Sequence, residues 1–307
     1  MQEIDALVIG GGPAGATAAL YLLRSGVSMG WAEKLAPGGQ VLLTERIDNY
    51  PGFPEGIAGF ELADKFAAQL DDFEFVRFND EVLEMRLNPG GYEILIGDSW
   101  VRSGAVILCT GAQWKQLGVP GEAKLTGRGV SYCAICDGNF FRDQEVACIG
   151  GGDTALEESL YLSKIVDKIH LIHRRDKFRG AKIYQDKVVN NPKIELHLDT
   201  VVDEFIGGDD LKAVAMRNVK SGAVRELPVN GAFVFVGVGP NSGFVPDEIQ
   251  KNAQGFIVTD TEMQTNVPGV FAAGDIRDKR CRQVSSAVGD GATAAHNANL
   301  YLEQLND

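Results

Sequence analysis

The sequence predicts an α/β chain of two parallel-sheet domains, with the middle segment inserted into the first domain. Three observations carry that expectation. A strand, a glycine-rich turn and a helix follow one another near the N-terminus and again from residue 145 onward. The 307 residues exceed the size at which one core usually stops growing, so two domains are the natural division. Finally, 37 glycines alongside only 8% aromatic residues suit a chain with many tight strand-to-helix turns.

The first strand is the apolar run IDALVI at 4–9, which meets Gly10, Gly11, Gly12, Pro13, Ala14 and Gly15 and then the helical pattern ATAALYLLRSG. Glycines at 10, 12 and 15 let the backbone approach a pyrophosphate, whose charge then meets a helix N-terminus. The next strand, VSMGWAE, ends at Glu33, about 20 residues beyond the turn, where a carboxylate holds a ribose hydroxyl. A surface glutamate after a strand is the bland alternative. The strand-turn AVILCTGAQ leads into a first linker near 113–119.

The middle segment opens with Cys133-Ala134-Ile135-Cys136-Asp137. Half of a zinc site is disfavoured, since the other cysteines (109, 148, 281) stand alone with no second CxxC and no nearby histidine pair, and no metal ligands are expected. A redox dithiol fits the spacing, which lets the sulfurs bond and permits attack and resolution by neighbouring thiolates. Asp137 then serves as proton donor or acceptor for the departing thiolate, provided burial tunes it.

Next comes the strand EVACI and a second turn, Gly150-Gly151-Gly152-Asp153-Thr154-Ala155, opening the helical ALEESLYLSKI. Ala155 replaces the third glycine, which the fingerprint tolerates because that position needs only a small residue. The following strand, KIHLIH, ends in His173-Arg174-Arg175-Asp176-Lys177-Phe178-Arg179. Guanidinium groups at a strand end suit a 2′-phosphate, where a carboxylate would repel it, and this favours NADPH. A solvated basic patch is the bland alternative. Apolar strands at 231–239 and 269–275 and a second linker near 240–246 complete the pattern.

NADPH delivers a hydride and a disulfide accepts two electrons through thiolate chemistry; a flavin exchanges with both, so FAD is the missing intermediary. Composition excludes other classes. A net charge of -13 argues against nucleic-acid or anionic-membrane binding, and the longest apolar runs are strand-sized. Five cysteines in a chain this long do not look like a secreted disulfide framework, so a cytoplasmic protein without a targeting segment is expected.

Over essentially its whole length the sequence resembles the low-molecular-weight thioredoxin reductases. Beyond GGGPAG the likeness includes Gly38-Gly39-Gln40, Asn49-Tyr50-Pro51-Gly52, Thr110-Gly111, GVSYCAICDG, GGGDTALEESLYL, HRRDKFR, and FAAGDIRD followed by Arg282-Gln283-Val284 and a helix starting near Ala287. The resemblance implies two Rossmann-like domains: 1–113 and 244–307 binding FAD, and 114–243 binding NADPH and carrying the dithiol. It adds Gly39, Gln40, Asn49, Thr110, Gly111, Gly274, Asp275, Arg282, Gln283 and Val284 to the FAD site. It also implies that Cys136 faces the flavin, that Cys133 attacks the protein substrate, and that Asp137 is the acid. A homodimer, a large domain rotation and a separate thioredoxin as substrate are implied as well, since the chain ends soon after the last helix. Related flavoproteins with another electron donor or acceptor, a ferredoxin-linked reductase or a dithiol oxidase, are the rivals; HRRDKFR argues against oxygen- or ferredoxin-driven forms, and Cys133 and Cys136 against a reductase without a dithiol. The chain departs from the family at Asn139, which precedes Phe140 and Phe141, and at Cys109 and Cys281. Cys109, Cys148 and Cys281 are read as small core fillers.

Overall fold

The computed structural model describes residues 1–44 and 46–306. They form two compact units, Met1–Gln113 with Gly239–Asp307, and Trp114–Val238.

In the first unit five strands run parallel, Val76–Phe78, Met29–Ala32, Gln2–Ile9, Ser99–Leu108 and Val270–Ala272 lying side by side in that order. Gln2–Ile9 is covered on both faces, which is why its second half is a continuous apolar run. Ala6 and Val8 meet one cluster, with Leu22, Ala294 and Ala298 from the helices Pro13–Arg24 and Val284–Asn306. Leu7 and Ile9 meet the other, with Ile94, Ile249 and Ile257. Ser99–Leu108 joins the parallel and antiparallel parts of one seven-stranded sheet. Its first half pairs antiparallel with Gly91–Ile96, which pairs in turn with Val82–Asn88; its last residues pair parallel with Val270–Ala272. Burial follows, alternating through Ser99–Gly104 and continuous from Ala105 to Leu108. Pro13 opens its helix at a position whose N–H has no intrahelical partner, so the missing donor costs nothing. The long helix, expected near Ala287, begins at Val284.

The second unit is built around a second parallel sheet, ordered Ile194–His197, Lys168–Ile172, Glu145–Gly150, Gly231–Phe235 and Val130–Ser131. Leu156 and Leu162 of the helix Asp153–Leu162 pack against one face with Val146 and Phe233. Against Ala147, Ile149 and Val234 on the other face packs a three-stranded antiparallel sheet, Thr200–Gly207, Leu211–Asn218 and Val224–Pro228, through Val202, Phe205, Val214 and Met216. The single strand read at 231–239 is two, Gly231–Phe235 and Val238–Pro240, because Gly237 at φ 130° turns the backbone out of the extended region. The α/β class and the two parallel sheets agree with the sequence expectation. No helix among the described residues is long and apolar enough to cross a membrane.

Candidate active site

Each parallel sheet ends in a glycine turn that opens a helix. In the first unit Gly10 stands at φ 110°, and a Cβ there would lie 2.4 Å from the Cys109 carbonyl oxygen. A Cβ on Gly15 would lie 1.9 Å from the Gly10 carbonyl oxygen, so the helix approaches the turn closer than any side chain permits. Gly12 differs: a Cβ there would meet nothing within 4 Å. It is the N-cap of the helix Pro13–Arg24, with no side-chain cap and no acid in the first turn, so the helix presents uncapped amides and a partial positive charge to an anion.

Glu33 follows the strand Met29–Ala32 and clamps this turn. Its Oε2 accepts the Gly11 amide proton at 2.6 Å and its Oε1 that of Leu35 at 2.9 Å. A carboxylate has lone pairs beyond these two, which a ribose hydroxyl can use. Gly38 donates its N–H to the Gly11 carbonyl at 2.7 Å, and this brings Gly39 against Gly12. Gln40 donates to the Ala112 carbonyl. Asn49 donates to Gln283 Oε1 at 2.9 Å, and Thr110 Oγ1 to the Asn241 carbonyl at 2.7 Å, beside Gly111. Gly274, a buried left-handed glycine beside Ala14, donates its N–H to Asp290 Oδ2 at 3.1 Å.

Two atoms here fit a polar ligand. Asp275 Oδ1 and Arg282 Nε are buried without a hydrogen-bond partner, and such orphans are uncommon in native interiors unless something else satisfies them. Burial raises the Asp275 carboxyl above its usual range, while the charges of Lys279 and Arg282 pull it back. Residues unforeseen from sequence support the segment: Asp290 of the long helix receives Arg277 at 2.9 Å and Lys279 at 2.8 Å, all three side chains nearly buried. A carboxylate inside an Ala-rich helix was the only signal, and it does not name its partners.

In the second unit Gly152 is the N-cap of Asp153–Leu162, again without a side-chain cap. Asp153 is turned to a structural task, its Oδ1 accepting the Ala181 amide at 2.7 Å, and Thr154 is exposed. A Cβ on Gly150 would lie 2.7 Å from the Ala155 methyl, so alanine fits at 155 because the first position of the turn is glycine. His173 presses its ring onto Gly151 and its Nε2 donates to the Lys177 carbonyl at 3.0 Å. Burial pulls its pKa below the ordinary histidine value, with the charges of Arg175 and Arg179 adding to the effect, so the ring is neutral at pH 7. Arg174, Arg175 and Arg179 are exposed, and Arg179 is tied back to the turn by its N–H to the Gly151 carbonyl at 2.7 Å. Among the described residues none of these three guanidinium groups has a carboxylate partner, which leaves their charge for a ligand.

Also in the second unit, Cys133 and Cys136 form a disulfide with Cα atoms 5.3 Å apart. Cys133 caps the short helix Ala134–Asp137, its Sγ accepting the Cys136 amide proton at 3.2 Å, a contact that strengthens when the sulfur is a thiolate. Asp137 stands directly behind. Ser131 Oγ donates to Asp137 Oδ2 at 2.5 Å and accepts the Cys133 amide at 3.1 Å, bridging carboxyl and sulfur-bearing residue. Burial raises the Asp137 carboxyl and the Ser131 hydrogen bond lowers it in part. Glu158 receives the Ala134 amide, has a buried orphan Oε2, and is also raised by burial. Ser131 and Glu158 had no sequence signal of their own, since their relevance lies in contact with the dithiol loop. Of the remaining cysteines, Cys109 and Cys148 are buried in the two sheets as expected, but Cys281 is exposed: it lies in an irregular loop before the long helix and is not a core filler.

The pyridine nucleotide-disulphide oxidoreductase family matches residues 4–291. A thioredoxin reductase of Treponema pallidum (strain Nichols) is 41% identical over 303 residues, covering 99% of this chain and 98% of that protein. The crystal structure of thioredoxin reductase from Streptococcus pyogenes MGAS5005 superposes with a TM-score of 0.95 at 44% identity, covering 98% of this chain and 99% of that one. That from Giardia duodenalis gives 0.93 at 32% identity, covering 99% and 100%.

Proposed function

The chain belongs to the pyridine nucleotide-disulphide oxidoreductase family, and from that premise we propose that it is a thioredoxin-disulfide reductase using NADPH and FAD. One observation carries the reading: a chain with two uncapped dinucleotide turns also holds a bonded CxxC pair with a burial-tuned carboxyl behind it. When bound, FAD supplies the two-electron exchange that joins a nicotinamide to a disulfide. Residues 1–113 and 244–307 bind FAD in this reading. Gly10, Gly12, Pro13, Ala14 and Gly15 cradle its pyrophosphate and Glu33 its ribose. Gly39, Gln40, Asn49, Thr110, Gly111, Gly274, Asp275, Arg282, Gln283 and Val284 complete the site, with the orphaned Asp275 and Arg282 atoms receiving polar groups of the cofactor. Residues 114–243 bind NADPH through Gly150, Gly152, Asp153 and Thr154, with the ring of His173 as a wall and Arg174, Arg175 and Arg179 on the 2′-phosphate.

Reduction of the Cys133–Cys136 bond yields two thiols, of which Cys133, as thiolate, attacks the thioredoxin disulfide. The mixed disulfide forms as one thioredoxin sulfur leaves, Asp137 supplies the proton that sulfur takes, and Cys136 then attacks the Cys133 sulfur and displaces the second thioredoxin sulfur, which restores the enzyme disulfide and releases reduced thioredoxin. A cytoplasmic homodimer is part of the same proposal. Steady-state NADPH oxidation with oxidised thioredoxin tests it. Cys133→Ser and Cys136→Ser each abolish turnover, and only reduced Cys136→Ser traps thioredoxin as a mixed disulfide. Near-wild-type turnover by either variant would make a flavin-only electron transferase the better reading.

A further inference from the structure

Away from the glycine turns, the neighbouring parallel strands Lys168–Ile172 and Ile194–His197 place His170 opposite Glu195, with His197 two residues further along on the same face. Three residues converge there. His170 Nδ1 lies 3.1 Å from His197 Nε2, Glu195 Oε2 lies 3.7 Å from the first, and Glu195 Oε1 lies 3.5 Å from the second. A tetrahedral cation with ligands at about 2.0–2.1 Å needs ligand-to-ligand edges of about 3.3 Å, and one ligand atom from each of the three residues already lies within 4.8 Å of the other two, so a small rotation of the Glu195 side chain closes the set. The two imidazoles are 4% and 5% exposed and Glu195 is 43% exposed, which gives a dry floor and an open side. His170 Nε2 sits 3.0 Å from Glu145 Oε2, the carboxylate-to-histidine contact that orients metal-bound imidazoles.

Without a cation, a proton occupies this point. Arg225 Nη2 donates to His197 Nδ1 at 2.6 Å, so His197 carries its proton on Nε2 and donates it to His170 Nδ1, and His170 donates from Nε2 to Glu145. That relay leaves the Glu195 carboxylate out of its hydrogen bonds: it pairs with Lys168 at 2.6 Å through one of its several lone pairs. We propose that His170, His197 and Glu195 form a binding site for a divalent transition metal of the zinc class, with water as fourth ligand and Arg225 as the group that must withdraw. On binding, the His197 proton moves from Nε2 to Nδ1, Arg225 swings from Nδ1 into solvent, and no net proton is released.

Equilibrium dialysis of the FAD-loaded full-length protein against Zn2+, with the dithiol kept as its disulfide, tests the site. Wild type is expected to hold about one Zn2+ per chain above the amount bound by His197→Gln. Glu145→Gln weakens binding about 10–100-fold through the lost outer partner, and Arg225→Ala tightens it by removing both a competing donor and a like charge. Should His197→Gln not fold, as judged by flavin content and circular dichroism, Glu195→Gln on the exposed side makes the same comparison. Equal zinc in wild type and variant, or weaker binding in Arg225→Ala, would overturn the proposal and leave the trio as a hydrogen-bond relay.

Discussion

Replacing Ser131 by alanine removes the hydroxyl that donates to Asp137 Oδ2 at 2.5 Å and leaves the carboxyl burial unchanged. Burial favours the neutral acid and this hydrogen bond favours the carboxylate, so its loss shifts Asp137 further upward. Hydrogen bonds to charged groups contribute about 1.5–3 kcal/mol, and 1.36 kcal/mol corresponds to tenfold, so at a fixed pH on the titration limb the ionised fraction falls about 10–100-fold. With Asp137 acting as the acid, turnover declines as pH rises through its titration; in Ser131→Ala that decline moves to higher pH, and in Asp137→Asn it disappears. The assay is the pH profile of kcat for NADPH-driven thioredoxin reduction. Ser131 also accepts the Cys133 amide at 3.1 Å, so some stability is lost too. Thermal denaturation reads that loss, which by itself would not displace the pH profile. A limb that stays in place, or moves to lower pH, would refute the positioning role of Ser131 and the acid role of Asp137 together.

Gly12→Ala should fold normally, since its Cβ meets nothing within 4 Å, yet release FAD, whereas Gly15→Ala should unfold the turn because its Cβ would lie 1.9 Å from the Gly10 carbonyl oxygen; flavin retention and circular dichroism separate the two, and equal behaviour would contradict the assignment of Gly12 to a ligand. Arg174→Ala with Arg175→Ala should lower kcat/KM for NADPH by at least about tenfold while sparing NADH, since each charge-assisted hydrogen bond contributes about 1.5–3 kcal/mol; equal losses with both nucleotides would remove these residues from phosphate recognition. His197, lowered from 6.5 to about 4, refuses a proton that the unfolded chain accepts, so the stability it contributes is present above pH 6.5 and is lost as pH falls toward 4. Up to about 3 kcal/mol is at stake, and urea unfolding should show a smaller loss between neutral and acid pH in His197→Gln than in wild type.

The strand-turn-helix units were legible because glycine is the only residue that survives at positions such as Gly10 and Gly15, and because buried parallel strands read as unbroken apolar runs. The antiparallel sheet spanning Thr200–Pro228 was not legible. Its period-two signal is interrupted by register shifts between Val202 and Glu204 and between Ile206 and Gly207, and Val224–Pro228 is almost wholly exposed. Within the site, Cys133, Cys136 and Asp137 announce themselves by spacing, but Ser131, Glu158 and Asp290 are ordinary residues whose meaning comes from what the fold sets beside them. The same limit hides the His170, Glu195 and His197 trio, since pairing of two strands far apart in sequence creates it.

The triple glycines that open both motifs have more than one physical cause. In the first turn a Cβ on Gly11 would lie 2.7 Å from Glu33 Cγ; in the second, a Cβ on Gly151 would lie 2.3 Å from the His173 ring. The middle glycine of each turn is therefore demanded by the residue that follows the next strand, independently of any ligand. That residue is a carboxylate in one unit and the head of an arginine cluster in the other. Because it is packed on the turn, the group that selects ribose hydroxyl or 2′-phosphate in the proposed reading is held in fixed relation to the uncapped amides of that turn. One backbone device, used twice, thus takes opposite polarity from a single position. Exchanging Glu33 and His173 between the units would place an aromatic ring where two amide hydrogen bonds are now accepted at 2.6 and 2.9 Å, and should cost the first unit its fold before it changed its cofactor.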